Sequence, residues 1–403
     1  MRPSGFIRRG RPAPIIWWTV LALGVAAPTR GLQSDGTRRL RGVVTGRIGD
    51  IEGPQEYLFG RISGLALARD HRIVVADWQS GDVRVFGPNG AFLTYLGSSG
   101  GDPGELHRPC CVGVDAHGRV WVMEAGSVRY EVFALRGAEG RHLRTMSAQV
   151  VGLRAEPPMF RMDGSIVLAV ASSGRNHGAH VLVDSGGRVR ESVVLPEFVG
   201  LDSLGQGRAT IRQPDGDETV TYPYPPFGAR DRVAHAPDGG FARVVTGQYT
   251  LTLFDGEGSE RATVSRPEYM GPEIDTEERR RAEHVLDSLQ RYARRLGGEY
   301  PDFEIPRRKP PVEDLWYDGD GRLWVELATE IRADIAKADV YDQDGTLLFR
   351  ASWPKGINLS WGAIERESAV GTERGALDVQ RVVLLRFVTD LPRGGGGTSR
   401  AEW

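Results

Sequence analysis

The sequence has little of what marks several large classes of protein. Only 2 of its 403 residues are cysteine, and 51 basic against 53 acidic residues give a formal net charge of −2. Lysine is scarce, since the basic set is almost entirely arginine and includes only Lys309, Lys337 and Lys355. With 40% hydrophobic and 26% charged residues, the composition excludes a polybasic nucleic-acid binder, an intrinsically disordered chain and a protein with several membrane spans.

Long apolar runs are also missing, with one exception near the start of the chain. Four arginines precede an apolar run over residues 14–27 that ends in small residues. This length suits the core of a signal peptide better than a membrane helix, which needs roughly 17–25 residues. We expect a signal peptide over residues 1–26 and an exported protein, periplasmic or extracellular, with no membrane span after cleavage. Retention of the segment as an uncleaved anchor is the alternative.

Glycine is the residue in excess, at 53, and its positions reveal an internal repeat. One pattern is an apolar run, a turn with Asp or Gly and a second apolar run, at 62–77, 111–124, 159–170, 232–245 and 313–327. A second pattern, a strand, a Gly-containing turn and another strand, alternates with it at 83–96, 130–145, 180–195, 251–264 and 338–352. Each pair of patterns predicts four strands joined by hairpins, because Gly, Asn and Asp supply the positive φ that such turns need.

Four-stranded units that repeat about every 40–50 residues are typical of propeller blades. Five units lie between about residues 60 and 354, and a weaker one over 357–388 is one strand short. Residues 40–49 can supply that strand from the other end of the chain, which would close the ring and remove exposed sheet edges. The sequence predicts an all-β, six-bladed β-propeller of four-stranded antiparallel blades over residues 40–390. Five or seven blades are the alternatives.

Two segments depart from the repeat, and a tail follows it. Residues 272–300 predict a helical insertion between blades four and five, with a capping box at Asp275 and Glu278 and an end at Gly297-Gly298. We expect the apolar face of this helix to pack on the propeller, or else to act as a lid or partner helix; its members are Ala282, Val285, Leu286, Leu289, Ala293 and Leu296. Residues 199–227 predict a long loop or strand extension between blades. The glycine-rich tail, 391–403, is expected to be disordered.

Residues 59–124 resemble consecutive NHL-type propeller repeats. The matching elements are Val-Ala-Asp at 75–77, Arg-Val-Phe at 84–86, Gly-Asp-Pro-Gly-Glu at 101–105 and Pro109. The chain as a whole is similar to exported bacterial six-bladed β-propeller proteins of unassigned role. This resemblance implies the fold but not the activity, because propellers include binding modules, lyases, lactonases and scaffolds.

The same resemblance implies two kinds of metal site. Some NHL-type lyases hold zinc with histidines from several inner strands, and gluconolactonase-like propellers hold one divalent cation with Glu, Asn and Asp. No histidine recurs at the starts of the inner strands here, and the spacing of His177 and His180 is typical of solvated loop residues. Five carboxylates near strand ends are candidate cation ligands, although no recognisable pattern of Asn accompanies them: Asp77, Glu124, Asp231, Glu313 and Glu326. For Asp77, the alternative is an Asp that accepts hydrogen bonds from a turn.

Cys110 and Cys111 are adjacent, at the entrance to a core strand. In an oxidising compartment such a pair can close a strained vicinal disulfide, which is easily reduced. The alternative is two small thiols that fill the core of a blade.

The sequence therefore offers a strong scaffold and no convergent catalytic set. We expect a non-catalytic binding scaffold for a protein or a small polar ligand or glycan at the propeller face, with no nucleic-acid partner. The first contact surfaces to consider are the segments 199–227 and 268–311, including the proline- and tyrosine-rich stretch 222–227. The alternative is a hydrolase or lyase that depends on a divalent cation in the central channel.

Overall fold

The structure, a computed structural model, describes residues 37–125, 129–147, 150, 157–161, 164–171, 178–195, 204–212 and 217–390. The expected signal peptide, the expected tail and His177 lie outside these residues. Within them, no helix is both long enough and apolar enough to cross a membrane.

Four antiparallel sheets of four strands each account for most of the chain before residue 266. The strands up to the second sheet are β1 (Arg39–Ile48), β2 (Ile62–Leu67), β3 (Ile73–Asp77), β4 (Asp82–Phe86), β5 (Phe92–Leu96), β6 (Ser98–Ser99), β7 (Glu105–Leu106), β8 (Pro109–Val114), β9 (Arg119–Glu124), β10 (Arg129–Arg136) and β11 (Glu139–Ser147). They are followed by β12 (Met159–Phe160), β13 (Ile166–Ala171), β14 (Gly178–Val183), β15 (Val189–Val194), β16 (Ala209–Arg212), β17 (Glu218–Thr221), β18 (Asp231–His235), β19 (Phe241–Val245), β20 (Thr250–Phe254) and β21 (Glu260–Ser265). The four sheets are β2–β5, β8–β11, β12–β15 and β18–β21, each paired in sequence order, and short two-stranded pairs join β6 to β7 and β16 to β17.

Residues 266–390 form one helix and, together with β1, an eight-stranded sheet. These elements are α1 (Thr276–Arg295), β22 (Val312–Tyr317), β23 (Leu323–Leu327), β24 (Ile335–Tyr341), β25 (Leu347–Pro354), β26 (Ile364–Glu365), β27 (Ser368–Arg374) and β28 (Gln380–Thr389), with 3-10 turns at Gln55–Tyr57 and Ala376–Asp378. The order in the sheet is β22-β23-β24-β25-β1-β28-β27-β26. The ring of antiparallel sheets is propeller-like, but the fifth and sixth predicted blades are one sheet rather than two separate ones.

The fifth and sixth predicted blades form one sheet because the outer strands of the two blades pair in parallel. Strand β1 pairs in antiparallel fashion with β28 over most of its length, which confirms the predicted union of residues 40–49 with the C-terminal strands. The start of β1 also pairs in parallel with β25, through three residue pairs from Arg39 and Arg350 to Arg41 and Ser352. The sequence repeat could not indicate this pairing, because it depends on how the two ends of the chain meet.

The two ends of the sheets carry very different connections. Because strands alternate in direction, the first-to-second and third-to-fourth hairpins share one end of each sheet, and these are tight turns such as Asp115–Gly118 and Asp318–Gly321. Every connection between sheets falls at the opposite end, where the first strand of each sheet begins. We call this end the loop face. It carries both segments that interrupt the repeat.

Two of the tight turns share a buried hydrogen-bond motif. A carboxylate oxygen of Asp115 accepts the indole N–H of Trp121 at 3.0 Å, and Asp318 accepts that of Trp324 at 2.7 Å. In each turn the same carboxyl group also accepts backbone N–H groups of the turn and the side chain of the intervening arginine. In both copies of the repeated motif Asp-x-x-Gly-Arg-x-Trp, the Asp therefore stabilises the turn and also holds the Trp of the following strand in place.

Hydrophobic clusters fill the spaces between consecutive sheets. The interface between the first two sheets is built on valines such as Val83 and Val122. The cluster between the two halves of the eight-stranded sheet contains Trp316, Trp324 and Trp353. Similar clusters join the second sheet to the third, the fourth to β22–β25, and β26–β28 to the first. These three tryptophans, on β22, β23 and β25, therefore pack between the two halves of the sheet.

The interface between the third and fourth sheets contains a pair of histidines. His180 on β14 is buried and its Nε2 shares a hydrogen bond with Nδ1 of His235 on β18. Phe241 packs edge-on against His180, with ring centroids 5.4 Å apart. The expectation of a solvated His180 is wrong, because the residue lies on a strand that faces the next sheet and not on a loop.

Helix α1 begins and ends close to the predicted bounds. Asp275 is the N-cap, and the capping box with Glu278 is complete in both directions. Leu286 and Ala293 are buried as expected, but Val285 and Leu289 are 53% and 37% exposed. The predicted apolar face is therefore only half covered, since the helix packs on neighbouring loop segments and leaves the rest of its stripe in solvent.

Candidate functional site

The two segments that interrupt the repeat fold together on the loop face. We call residues 204–212, 217–229 and 266–311 the cap. Thr210 on β16 and Glu299, just beyond helix α1, exchange backbone hydrogen bonds of 2.8 and 3.0 Å. Gly298 lies so close to this pairing that a Cβ atom there would be 1.9 Å from the carbonyl oxygen of Thr210. Segments almost 90 residues apart in sequence thus form one structural unit.

The two arms that lead into and out of α1 are paired with each other. The backbone N–H of Ile274 donates to the carbonyl of Arg307 at 3.0 Å, and that of Lys309 donates to Pro272 at 2.9 Å. Gly271 permits this approach, because a Cβ atom there would meet the carbonyl oxygen of Lys309 at 2.0 Å. The arms form a stiff stalk for the helix.

Charged groups attach the first turn of the helix to this stalk. Glu278 is buried and its carboxylate lies 2.5 Å from the Lys309 ammonium group, which also donates to the Thr329 carbonyl at 2.9 Å. The guanidinium of Arg279 donates to the carbonyl oxygens of Ile305 and Pro306 at 3.1 and 2.9 Å. These bonds place one of the three lysines at the base of the cap.

A groove with a volume of about 680 Å³ lies between the cap and the fourth sheet. Its floor is the β19–β20 turn, and its walls are the strap around 225–229 and the two arms. The lining includes five prolines, Pro225, Pro267, Pro306, Pro310 and Pro311, together with Phe227, Tyr249, Tyr269, Met270, Glu304, Arg308 and Lys309. Within the stretch 222–227, named above among the first contact surfaces, Pro225 and Phe227 line this groove.

The groove combines rigid apolar surface with a few charges at its edge. Met270 is 64% exposed, which is high for so large an apolar side chain. The Lys309 ammonium group lies 6.0 Å from the centre of the Phe227 ring. Proline and aromatic side chains lose little conformational freedom on binding, so such a surface offers contact area at low entropic cost. The arrangement suits recognition of a ligand.

A buried polar network supports the floor of the groove. The hydroxyl of Tyr249 donates to Oδ2 of Asp339 at 2.8 Å and lies 2.7 Å from the hydroxyl of Tyr341. Asp339 also pairs with Arg266, and Arg350 approaches its other oxygen at 3.3 Å. Burial raises the pKa of Tyr249 well above its usual value, and the Asp339 charge raises it further. Tyr249 is therefore a neutral donor throughout the physiological pH range.

Arg266 links this network to the wall of the groove. Its guanidinium lies 5.2 Å from the ring centre of Tyr249 and 4.8 Å from that of Tyr269. Cation–π contacts of this kind hold planar side chains in fixed orientations. Tyr249, Arg266 and Asp339 are not among the residues predicted from the sequence.

Two of the carboxylates proposed as cation ligands are structural. In the first sheet, Asp77 accepts the backbone N–H groups of Gly60 and Arg61 at 2.8 and 2.9 Å. In the second sheet, Glu124 accepts those of His107 and Arg108 in the same way. Burial acts to raise the pKa of Asp77, but these hydrogen bonds outweigh it and the pKa is lowered. Asp77 and Glu124 fix the starts of β2 and β8.

The remaining three carboxylates do not meet at one point. Asp231 is paired with Arg243 on the neighbouring strand. Burial, with the charges of Glu313 and Asp314, raises the pKa of Glu326 to about 8. Among the described residues, no group of three or more His, Cys, Asp or Glu side chains could hold a metal ion.

Cys110 and Cys111 are both buried, and the structure carries both as thiols. The register of β8 against β9 shifts between Cys110 and Val112. Cys111 occupies the left-handed region with φ 53°, which is uncommon for a residue with a side chain. The vicinal disulfide stays a prediction, and the shift in register identifies the pair as an irregular point in an inner strand.

The ring of radial sheets, closed by the pairing of β1 with β28, makes this a β-propeller protein. No protein-family model matches the chain, and no match was found among curated proteins.

Solved structures with similar folds cover most of the chain at low identity. A candidate exported protein of Bacteroides fragilis is 11% identical with a TM-score of 0.45, over 87% of this chain and 96% of that one. Virginiamycin B lyase of Staphylococcus aureus is 14% identical with a TM-score of 0.39, over 86% and 98%. Regucalcin of Agrobacterium tumefaciens, a calcium-binding protein, is 12% identical with a TM-score of 0.37, over 87% and 96%.

Proposed function

We propose that this protein is a non-catalytic binding scaffold whose recognition element is the cap. The observation that carries the proposal is the groove of about 680 Å³ between the cap and the fourth sheet. Its walls come from the two segments that break the repeat, whereas the sheets supply a rigid base. A protein segment, or a small polar ligand or glycan, binds in this groove against proline and aromatic side chains.

The experiment compares two single substitutions by affinity capture from the native host, with identification of every bound component. Met270→Asp places a charge in the groove, and Leu143→Asp places one on an outer strand, where Leu143 is also exposed. We expect a discrete set of bound components that Met270→Asp removes and Leu143→Asp retains. Equal capture by the two variants, or by a chain in which 272–300 is replaced with a short linker, would exclude the cap as the recognition element.

We also propose that the ring has six blades of the NHL type. The support is that the eight-stranded sheet consists of two four-stranded halves joined by only three residue pairs. Amide hydrogen exchange tests this: backbone amides in the β25–β1 seam, such as Arg350, should exchange much faster than those in the β1–β28 ladder, such as Arg386. Equal protection would favour a single continuous sheet.

Export and the redox state of the cysteines form a linked proposal. We propose that the chain is exported, that residues 1–26 are removed, and that Cys110 and Cys111 then form a vicinal disulfide. In that step two thiols lose two protons and two electrons to a disulfide oxidant, which is reduced to two thiols. Intact-mass measurement of the natively secreted protein tests both parts: we expect a start near residue 27 and a mass about 2 Da below that of the dithiol. An intact Met1, or two thiols that alkylate without reductant, would contradict the corresponding part.

The alternative function is a hydrolase or lyase that depends on a divalent cation in the central channel. Its only structural support is the proximity of Glu313 and Asp314 to Glu326, whose pKa is raised by burial and by their charges, and no such group among the described residues could hold a metal ion. Elemental analysis of protein purified without chelator decides this, since stoichiometric zinc, calcium or magnesium would support the alternative.

A further inference from the structure

A second feature of the loop face lies between the first and second sheets, away from the groove. Trp78 follows the last residue of β3 and is half-buried. The guanidinium carbon of Arg61 lies 5.9 Å from the centre of its ring system, and that of Arg108 lies 5.8 Å from it. The two guanidinium carbons are therefore less than about 12 Å apart, and both lie next to the same aromatic ring.

The two arginines occupy equivalent positions in neighbouring sheets. Arg61 immediately precedes β2, and its carbonyl accepts the N–H of Trp78 at 2.8 Å. Arg108 immediately precedes β8, and its carbonyl accepts the N–H of Ala125 at 3.2 Å. The repeat thus brings both side chains to the same end of adjacent first strands.

The backbone of each arginine is fixed by a buried carboxylate. Asp77 accepts the N–H of Arg61 and Glu124 accepts the N–H of Arg108. Both acids are already engaged by two or more N–H groups of this kind. The two carboxylates hold the main chain at Arg61 and Arg108 and do not bond to the guanidinium groups of these residues.

Neither guanidinium group has a carboxylate partner in the part of the chain that the structure describes. Most other arginines that contact aromatic rings are also ion-paired; Arg84, Arg119, Arg266 and Arg322 are examples. Arg61 and Arg108 are both exposed, so their donors face solvent. Contact with Trp78 restricts the side chains without using their hydrogen-bond donors, which lowers the entropic cost of binding an anion.

A third arginine occupies the equivalent backbone position in the fourth sheet and also lies next to an aromatic ring, which here comes from the preceding loop. Arg230 immediately precedes β18, its carbonyl accepts the N–H of Thr246 at 2.9 Å, and its guanidinium lies 5.6 Å from the ring centre of Tyr224. Exposed arginines next to aromatic rings therefore recur at the same position of the repeat, on the same face. The positive charge is local, because the chain as a whole has a formal net charge of −2.

We propose that Arg61, Trp78 and Arg108 form a binding site for a small ligand with two anionic oxygen groups. Each guanidinium offers a planar pair of donors that matches a carboxylate or a phosphate group in two parallel hydrogen bonds. The exposed part of the Trp78 ring contacts the carbon or oxygen bridge between the two groups. The site does not depend on the groove, so either proposal can fail without the other.

The test is isothermal titration of the full mature chain with citrate and pyrophosphate, using acetate as the single-anion control. We expect one citrate or one pyrophosphate per chain, much tighter binding than acetate, and weaker binding as salt is raised. Comparison of citrate with pyrophosphate identifies the preferred class of anion. Arg61→Ala and Arg108→Ala should each lower the affinity at least tenfold.

Two further variants separate a site from a general charge effect. Arg136 is exposed at the opposite end of β10, so Arg136→Ala removes the same charge and should leave the affinity within about twofold. Arg61→Lys keeps the charge but loses the planar donor pair, and should bind several-fold more weakly than the native chain. The proposal is overturned if citrate and pyrophosphate bind no tighter than acetate, or if Arg136→Ala weakens binding as much as Arg61→Ala in variants with native circular dichroism.

Discussion

The substitution Asp339→Asn tests whether the buried network under the groove holds the cap to the ring. Asp339 is 1% exposed, and its carboxylate serves Tyr249, Arg266 and Arg350 at once. Asparagine keeps the shape and one oxygen acceptor for Tyr249. It removes the charge that compensates two arginines whose side chains are only 13% and 16% exposed.

The magnitude follows from the cost of leaving buried charges without a partner. Removal of one member of a fully buried ion pair costs about 3–5 kcal/mol. Partial access of solvent to both arginines lowers this to roughly 2–4 kcal/mol. We expect a corresponding loss in the free energy of unfolding, with a decrease in Tm of several degrees. Because Arg266 also orients Tyr249 and Tyr269, ligand binding in the groove should weaken as well.

Thermal unfolding followed by circular dichroism measures this effect, and Asp342→Asn is the matched control. Asp342 lies in the hairpin that follows β24, and its side-chain partners among the described residues are the N–H groups of Asp344 and Thr346, at 3.0 and 2.8 Å. An asparagine can accept the same bonds, so we expect a loss below about 1 kcal/mol. Equal shifts for the two variants would refute the claim that the network is a structural anchor.

Three further predictions concern other parts of the chain. Glu326→Gln should flatten the pH dependence of stability. The pKa of Glu326 is raised from its ordinary value of 4.5 to about 8, so the free energy of unfolding of the native chain falls by up to about 1.4 kcal/mol per pH unit as the pH rises between these values. An unchanged slope of this free energy against pH in the variant would contradict the prediction. Gly298→Ala should open the cap, because its Cβ would displace the Thr210 carbonyl; limited proteolysis should then cut the cap faster, whereas Gly101→Ala, where a Cβ meets nothing within 4 Å, should leave the digestion pattern unchanged. His71→Gly should stabilise the protein by about 1 kcal/mol, because His71 has φ 64° at a turn position that glycine occupies in other hairpins; a lower Tm would show that its side-chain contacts outweigh the strain.

Strands and the helix could be predicted from the sequence because their signals are local. A hairpin needs only alternating apolar residues and a glycine with positive φ, as at Gly118 and Gly321. The capping box at Asp275 and Glu278 is likewise contained in four residues. A single feature of this kind can appear in any fold. Its repetition at a regular spacing along the chain is what indicated a ring of similar sheets.

The cap and the supporting network could not be predicted in the same way, because they depend on contacts between distant segments. Thr210 pairs with Glu299, and Tyr249 bonds to Asp339, across about 90 residues in each case. Neither pair belongs to a periodic pattern. The one available signal was the proline-rich composition of 222–227 and 306–311, which marked both walls of the groove without showing that they face each other.

Carboxylates were assigned to a possible cation site because acidic residues recur at strand ends. The structure gives a different reason for that recurrence at Asp77 and Glu124. Each carboxylate ends a second strand and accepts the N–H groups that precede the neighbouring first strand. A repeat that must hold the same strand start in successive sheets places acids at equivalent positions, whether or not a metal is bound.

Site-specific photocrosslinking tests the central claim, that the cap groove is where this protein binds its partner or ligand. A benzophenone amino acid replaces Met270 in the groove or, as control, Glu139, which is exposed at the start of β11. Both proteins are irradiated in the native host, and mass spectrometry then identifies the molecules that have become crosslinked to each. We predict a discrete adduct from position 270 that is absent from position 139. Adducts that are the same from both positions, or that form only at 139, would contradict the account.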